Sequence, residues 1–82
     1  MEINEVISEM TKIWQNILDD DAIELKSETT AKDVEGWDSL TNIQLIVAAE
    51  KKYKIRFSAS EIMNFANVGE MAETIIRKSA NA

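Results

Sequence analysis

Residues 3–18 carry apolar side chains at Ile3, Val6, Ile7, Met10, Ile13, Trp14, Ile17 and Leu18, with Glu5, Glu9, Lys12 and Gln15 between them. Steps of three residues and one residue place the apolar set on one side of an α-helix. Such a stripe must be covered by the rest of the chain. That remainder is short: the chain has 82 residues, no proline, and glycine only at Gly36 and Gly69. A turn-rich β fold needs those breakers, so the covering elements are expected to be helices too. The length allows a single domain, 1–82, with one modest core.

The stripe stops at Asp19-Asp20-Asp21, which opens a long connection to Asp38. Apolar residues recur through it at Ile23, Leu25, Ala31, Val34 and Trp37, as in a loop packed over a core. A second helix is predicted from about Ser39 to Tyr53, with Asp38 as its N-cap and Ser39 in its first turn. Its apolar residues cover more than one face. Leu45, Ile46, Ala49 and Tyr53 can point inward, which leaves Leu40, Ile43 and Val47 either as a partly exposed partner stripe or buried between helices.

Ser58 and Glu61 have capping-box spacing and start a short helix through Ile62, Met63 and Phe65. Asn67-Val68-Gly69-Glu70 repeats that logic before a last helix at about 68–79, whose stripe is Val68, Met71, Ala72, Ile75 and Ile76. Arg77 and Lys78 suit its C-terminal dipole, and the tail Ser79-Ala80-Asn81-Ala82 is expected to fray. The expected fold is all-α: a small four-helix bundle of three longer helices and one short third helix, with a long loop between the first two. Phe65 is expected in its core.

The residue inventory narrows function. Without cysteine there is no disulfide or thiolate metal site, and without histidine the usual general base and commonest metal ligand are missing. An EF-hand loop from Asp19 would need glycine and glutamate where Glu24 and Thr30 stand, so no metal site is expected. Catalysis would fall to carboxylates and lysines, and no enzyme is expected. No apolar run approaches the roughly 20 residues that span a bilayer, and the acidic start Met1-Glu2-Ile3-Asn4-Glu5 is unlike a signal peptide. A cytoplasmic location follows as the default. The net charge of −6 divides into −8 over residues 1–38 and +2 over residues 39–82. It disfavours nucleic acid and anionic membrane and favours basic protein partners.

Gly36-Trp37-Asp38-Ser39-Leu40 puts a serine hydroxyl where the second helix begins. A helix N-terminus offers unpaired N–H groups and partial positive charge, which suits a phosphate. Ser39 is then either an ordinary helix start or the attachment point of a phosphate ester. Beside it, Trp37 either packs down or forms a platform, and its indole N–H calls for a partner.

From the first amphipathic helix to the last, the chain resembles the acyl carrier proteins and the related peptidyl carrier domains. The resemblance is most specific from Gly36 to Tyr53 and through Ile55-Arg56-Phe57-Ser58. It implies 4′-phosphopantetheine as cofactor, attached covalently to Ser39, with Asp38 used when a phosphopantetheinyl transferase binds. It implies an acyl pocket at Ala49, Phe57, Ile62, Phe65 and Met71. It also implies delivery of an acyl thioester to acyl-loading and acyl-transfer enzymes of fatty-acid, polyketide or other specialised biosynthesis, with the carrier a monomer. Leu40, Ile43 and Val47, with Glu50, would face those partners.

Fatty-acid-synthesis carriers are similar but place acids along the second helix. This chain has Thr41, Asn42 and Gln44, then Lys51 and Lys52, and keeps only Glu50. With Trp37 ahead of Asp38-Ser39, it looks more like stand-alone carriers of specialised pathways. The alternative is a small helical interaction domain that is never modified, which would leave Ser39 as an ordinary first-turn residue.

Overall fold

A computed structural model describes residues 2–80. Four helices run as α1 (Ile3–Ile17), α2 (Ser39–Tyr53), α3 (Ala59–Asn64) and α4 (Val68–Ala80), and no strand occurs among the described residues. α1 is the hub of the bundle and packs on both α2 and α4. Val6, Ile7, Met10 and Trp14 are its buried residues, while Ile3, Ile13, Ile17 and Leu18 pack around them half-buried. From the other side come Leu45, Ile46 and Ala49 of α2, and Val68, Met71, Ala72 and Ile75 of α4.

α1 and α2 end the same way. Asp19 and Lys54 take left-handed conformations, with φ of 51° and 56°, two residues past the end of α1 and one past the end of α2. The N–H groups of Asp20 and Ile55 then return to the carbonyls of Gln15 and Glu50. This is the Schellman closure, which satisfies a last-turn carbonyl and turns the chain sharply. α4 extends through Ala80, so Ser79 and Ala80 are helical where fraying was expected; Asn81 and Ala82 lie outside the described residues.

The long first connection is an ordered part of the core. Ile23, Leu25 and Val34 are buried, whereas Ala31 is exposed in a short 3-10 turn, Ala31–Asp33. The Gln15 side-chain amide donates to the Ile23 carbonyl at 2.8 Å, and the Leu25 N–H donates to Thr11 Oγ1 at 3.3 Å. Further along, the loop serves α4. Val68 and Gly69 donate their N–H groups to the carbonyls of Thr29 and Ser27, each at 2.8 Å, and Glu70 N–H donates to Asn67 Oδ1. Donors that a helix start leaves unpaired are thereby taken by the loop backbone. The capping box predicted at Asn67 is only half formed, because the Glu70 carboxylate accepts from Ala66 N–H and not from Asn67.

α3 is held at both ends of its charge. Ser58 and Glu61 form the reciprocal box, and Glu61 also meets Lys78 at 3.0 Å and Arg77 at 3.5 Å. The two cations thus tie α4 to α3 in addition to closing their own last turn. Phe65 is half-buried and stands edge-to-face with buried Phe57, with ring centroids 5.4 Å apart. It packs on the edge of the core and does not enter it, because the backbone leaves the helix at Phe65 in an extended conformation.

Two outcomes follow. Phe65→Ala should cost about 1–3 kcal/mol, less than the 3–5 kcal/mol of a fully buried phenylalanine, as read from the denaturation midpoint. Gly69→Ala should destabilise by about 1–3 kcal/mol despite alanine's helix propensity. Its Cβ would lie 2.8 Å from the Ser27 carbonyl oxygen, which is the acceptor of the Gly69 N–H.

Candidate functional site

The start of α2 is built by Asp38. Its backbone is extended, and its Oδ1 accepts from Leu40 N–H at 3.0 Å and Thr41 N–H at 2.9 Å. Thr41 completes the box, since its Oγ1 accepts from Asp38 N–H at 2.9 Å. The Thr41 hydroxyl then donates to the Gly36 carbonyl at 2.7 Å. Gly36 has φ of +89°, a conformation that glycine adopts without strain. Gly36 through Thr41 is therefore one hydrogen-bonded unit in which Ser39 has no structural duty. Ser39 is exposed, occupies the first helical position, and its Oγ has no hydrogen-bond partner among the described residues.

The capping carboxylate changes the anion logic of this helix start. Asp38 Oδ1 occupies two of the first-turn donors and the Asp38 carbonyl takes Asn42 N–H at 2.8 Å. The Ser39 N–H is the first-turn donor left over. An anion at this helix end would therefore find one free first-turn amide and no nest of them. The hydrogen bond from Thr41 N–H, with further ones from the Thr41 hydroxyl and Leu40 N–H, holds the Asp38 carboxyl below its ordinary pKa.

Trp37 both packs and flanks the serine. Half-buried, it lies edge-to-face on fully buried Trp14 with centroids 5.4 Å apart, and its indole N–H donates to Asn42 Oδ1 at 2.8 Å. An open cleft of about 290 Å³ lies between the α2 start and the α3–α4 link, and Trp37, Asp38, Ser39 and Asn42 form one side of it. Ile62, Phe65 and Met71 line it opposite. Ala49 and Phe57, expected with them, do not. They are buried in the core, Ala49 on the inward face of α2 and Phe57 behind the ring of Phe65.

Leu40, Ile43 and Val47 lie on the outer side of α2, 70%, 63% and 41% exposed. Glu50 is half-buried and its Oε2 accepts from Phe57 N–H at 2.9 Å, so this acid helps to hold the chain after α2. Met63 on α3 is a further exposed apolar residue, which its place in a short apolar run gave no reason to single out. Among the described residues no helix is long and apolar enough to cross a membrane.

The depressed Asp38 pKa has a signed consequence. The cap contributes stability above the ordinary carboxylate pKa, and that contribution is lost as pH falls through the lowered value. Acid titration should therefore weaken wild type more than Asp38→Asn, with amide exchange at Leu40 and Thr41 as the readout.

The structure admits a phosphopantetheine arm on its own terms, since Ser39 offers an accessible, unengaged hydroxyl at the mouth of a cleft. Comparison with known proteins points the same way. Residues 8–75 match the family model described as a phosphopantetheine attachment site. The fold matches the solution structure of a holo acyl carrier protein from Geobacter metallireducens with a TM-score of 0.86 and 39% identity, over 93% of this chain and 87% of that one. The chain therefore belongs to the acyl carrier protein family, a phosphopantetheine-bearing carrier and not an enzyme.

Proposed function

We propose that Ser39 is the residue that bears the arm, and that the protein is a dedicated carrier serving enzymes of a specialised acyl pathway. The observation that carries the assignment is the division of labour at the α2 start. Asp38 and Thr41 make the cap, while the Ser39 hydroxyl is exposed and committed to nothing. When bound, the group supplies a terminal thiol for thioester chemistry, an atom type this cysteine-free chain lacks.

The chain's own contribution is placement. Asp38 fixes the first turn, so the hydroxyl is offered at a defined place to a phosphopantetheinyl transferase, and afterwards the arm departs from a rigid base. Tethering replaces a bimolecular encounter with a local one of high effective concentration. Leu40, Ile43 and Val47 offer partners an apolar stripe, and the absence of a buried hydrophobic anchor in it suits contacts that must be released after each step.

The charge of α2 supports a dedicated pathway. Beyond the stripe come Lys51, Lys52 and Lys54, and the helix's one acid after Asp38, Glu50, is partly occupied by Phe57 N–H. A partner that grips carriers through a basic surface finds few acids here, which lowers its association rate more than it alters bound contacts.

Incubation with coenzyme A and a broad-specificity transferase should add one phosphopantetheine to the intact mass, and Ser39→Ala should abolish the gain. The variant should keep its melting curve, since serine and alanine differ by only about 0.5 kcal/mol in helix propensity. A gain retained in Ser39→Ala would move the attachment elsewhere.

A further inference from the structure

The apolar ridge on α2 changes character along its length. Leu40, Ile43 and Val47 are followed on the same side by Lys51 and Lys54, at steps of three and four residues. Lys51, Lys54 and Arg56 are exposed around an open concavity of about 490 Å³ that Val47, Glu50 and Ile55 complete. At 1.5 Å per residue Lys51 stands about 18 Å along the helix from Ser39, well away from the cleft at the α2 start. The ion pairs among the described residues belong to Glu61, so these three cations have none. The acid between them, Glu50, is turned inward to Phe57 N–H. Lys52 leaves the ridge, with its ammonium over the Tyr53 ring at 5.8 Å. A cation at Lys51 suits the C-terminal helix dipole. The dipole does not account for Arg56, which lies beyond the helix, nor for a lysine at 54. Lys54 holds the left-handed C-cap, with φ of 56°, where glycine is favoured. A lysine there costs stability, and no ion pair offsets that cost.

We propose that Lys51, Lys54 and Arg56, around Val47 and Ile55, dock an acidic surface of a partner protein, one whose apolar groove ends in carboxylates. The proposal rests on the carrier reading of α2 and adds to it the chemistry of the partner. Charge complementarity decides the occupant. Three unpaired cations call for carboxylates, and the apolar ridge that leads to them calls for a groove beside those carboxylates. An anionic membrane is disfavoured, because the whole chain carries −6 and only this end of it is cationic. Exposed ion pairs are individually weak, so three together set preference and encounter rate while leaving release easy. The same cations repel a partner with a basic surface, which makes them determinants of specificity in both directions.

The test titrates the full chain, before and after treatment with coenzyme A and a broad-specificity transferase, with two amphipathic helical peptides. Both present the same leucine face; one ends in a cluster of glutamates and the other in a cluster of lysines. Backbone amide NMR reports place and affinity. The glutamate peptide should bind about 10-fold more tightly than the lysine peptide and shift Val47, Lys51, Lys54, Ile55 and Arg56. The preference should fade at about 1 M salt, where screening acts within about 3 Å. The double variant Lys51→Glu, Arg56→Glu should reverse it. Lys54→Gly should weaken binding of the glutamate peptide while melting no lower than wild type, which separates docking from folding. Equal affinity for the two peptides overturns the proposal, as do shifts centred on another face or a preference that salt leaves intact. Binding to phosphatidylglycerol vesicles through these residues, with no preference between peptides, also overturns it and gives the patch to a membrane. Failure of the chain to gain mass, with the peptide preference intact, would remove the carrier reading and leave the docking site standing.

Discussion

The Asp38 carboxylate at the head of α2 is the interaction on which the site depends. By accepting from Leu40 and Thr41 it fixes the first turn, and through Thr41 it locks the loop back to Gly36. An N-cap of this kind relieves orphaned backbone donors whatever the neighbouring residue does. Ser39 is thereby left uncommitted: its hydroxyl carries none of the load of starting the helix. The same geometry orients Trp37 and Asn42, so the cap also defines one wall of the cleft.

The rest of the fold keeps that turn in place. α1 supplies the surface on which α2 and α4 lie, and the first loop is stitched to α1 through Gln15 and Thr11. Its carbonyls then take the first donors of α4. A chain of this size buries little apolar area, so ordered loop contacts matter to it more than they would in a larger domain. Tyr53 adds a polar tie, its hydroxyl donating to Glu9 at 2.6 Å, and burial together with the Glu9 carboxylate pushes the phenol pKa upward. The wall opposite Ser39 is fixed by Glu61, which caps α3 and pairs with the end of α4.

How much of this was legible depends on which atoms carry the information. The α1 stripe and the caps at Asp38 and Ser58 are side-chain patterns with local spacing, and the helices they predict match the structure to within a residue or two. On α2 the apolar residues are spread around the axis, so periodicity could not separate the buried set from the exposed one. The need of Trp37 for a polar partner was visible, but Asn42 was not, because the pairing depends on the turn between them. The closure of the loop on α4 uses the carbonyls of Ser27 and Thr29, which leave no trace in residue identity. Thr30 and Asp33 do have capping-box spacing, a signal that could have revealed the 3-10 turn. Family resemblance alone places Ala49 and Phe57 in the pocket. The Phe57–Phe65 pair that closes them off depends on residues whose facing cannot be read from spacing alone.

The central claim is that the attachment turn is fully formed before the arm arrives and is independent of it. The most direct measurement is a backbone amide NMR comparison of the unmodified and phosphopantetheinylated chains. The account predicts shifts confined to residues 38–42 and the cleft, with the core signals of Val6, Met10, Trp14, Leu45 and Ile75 unchanged. Shifts spread through those core residues, or α2 first-turn amides protected from exchange only after modification, would contradict it.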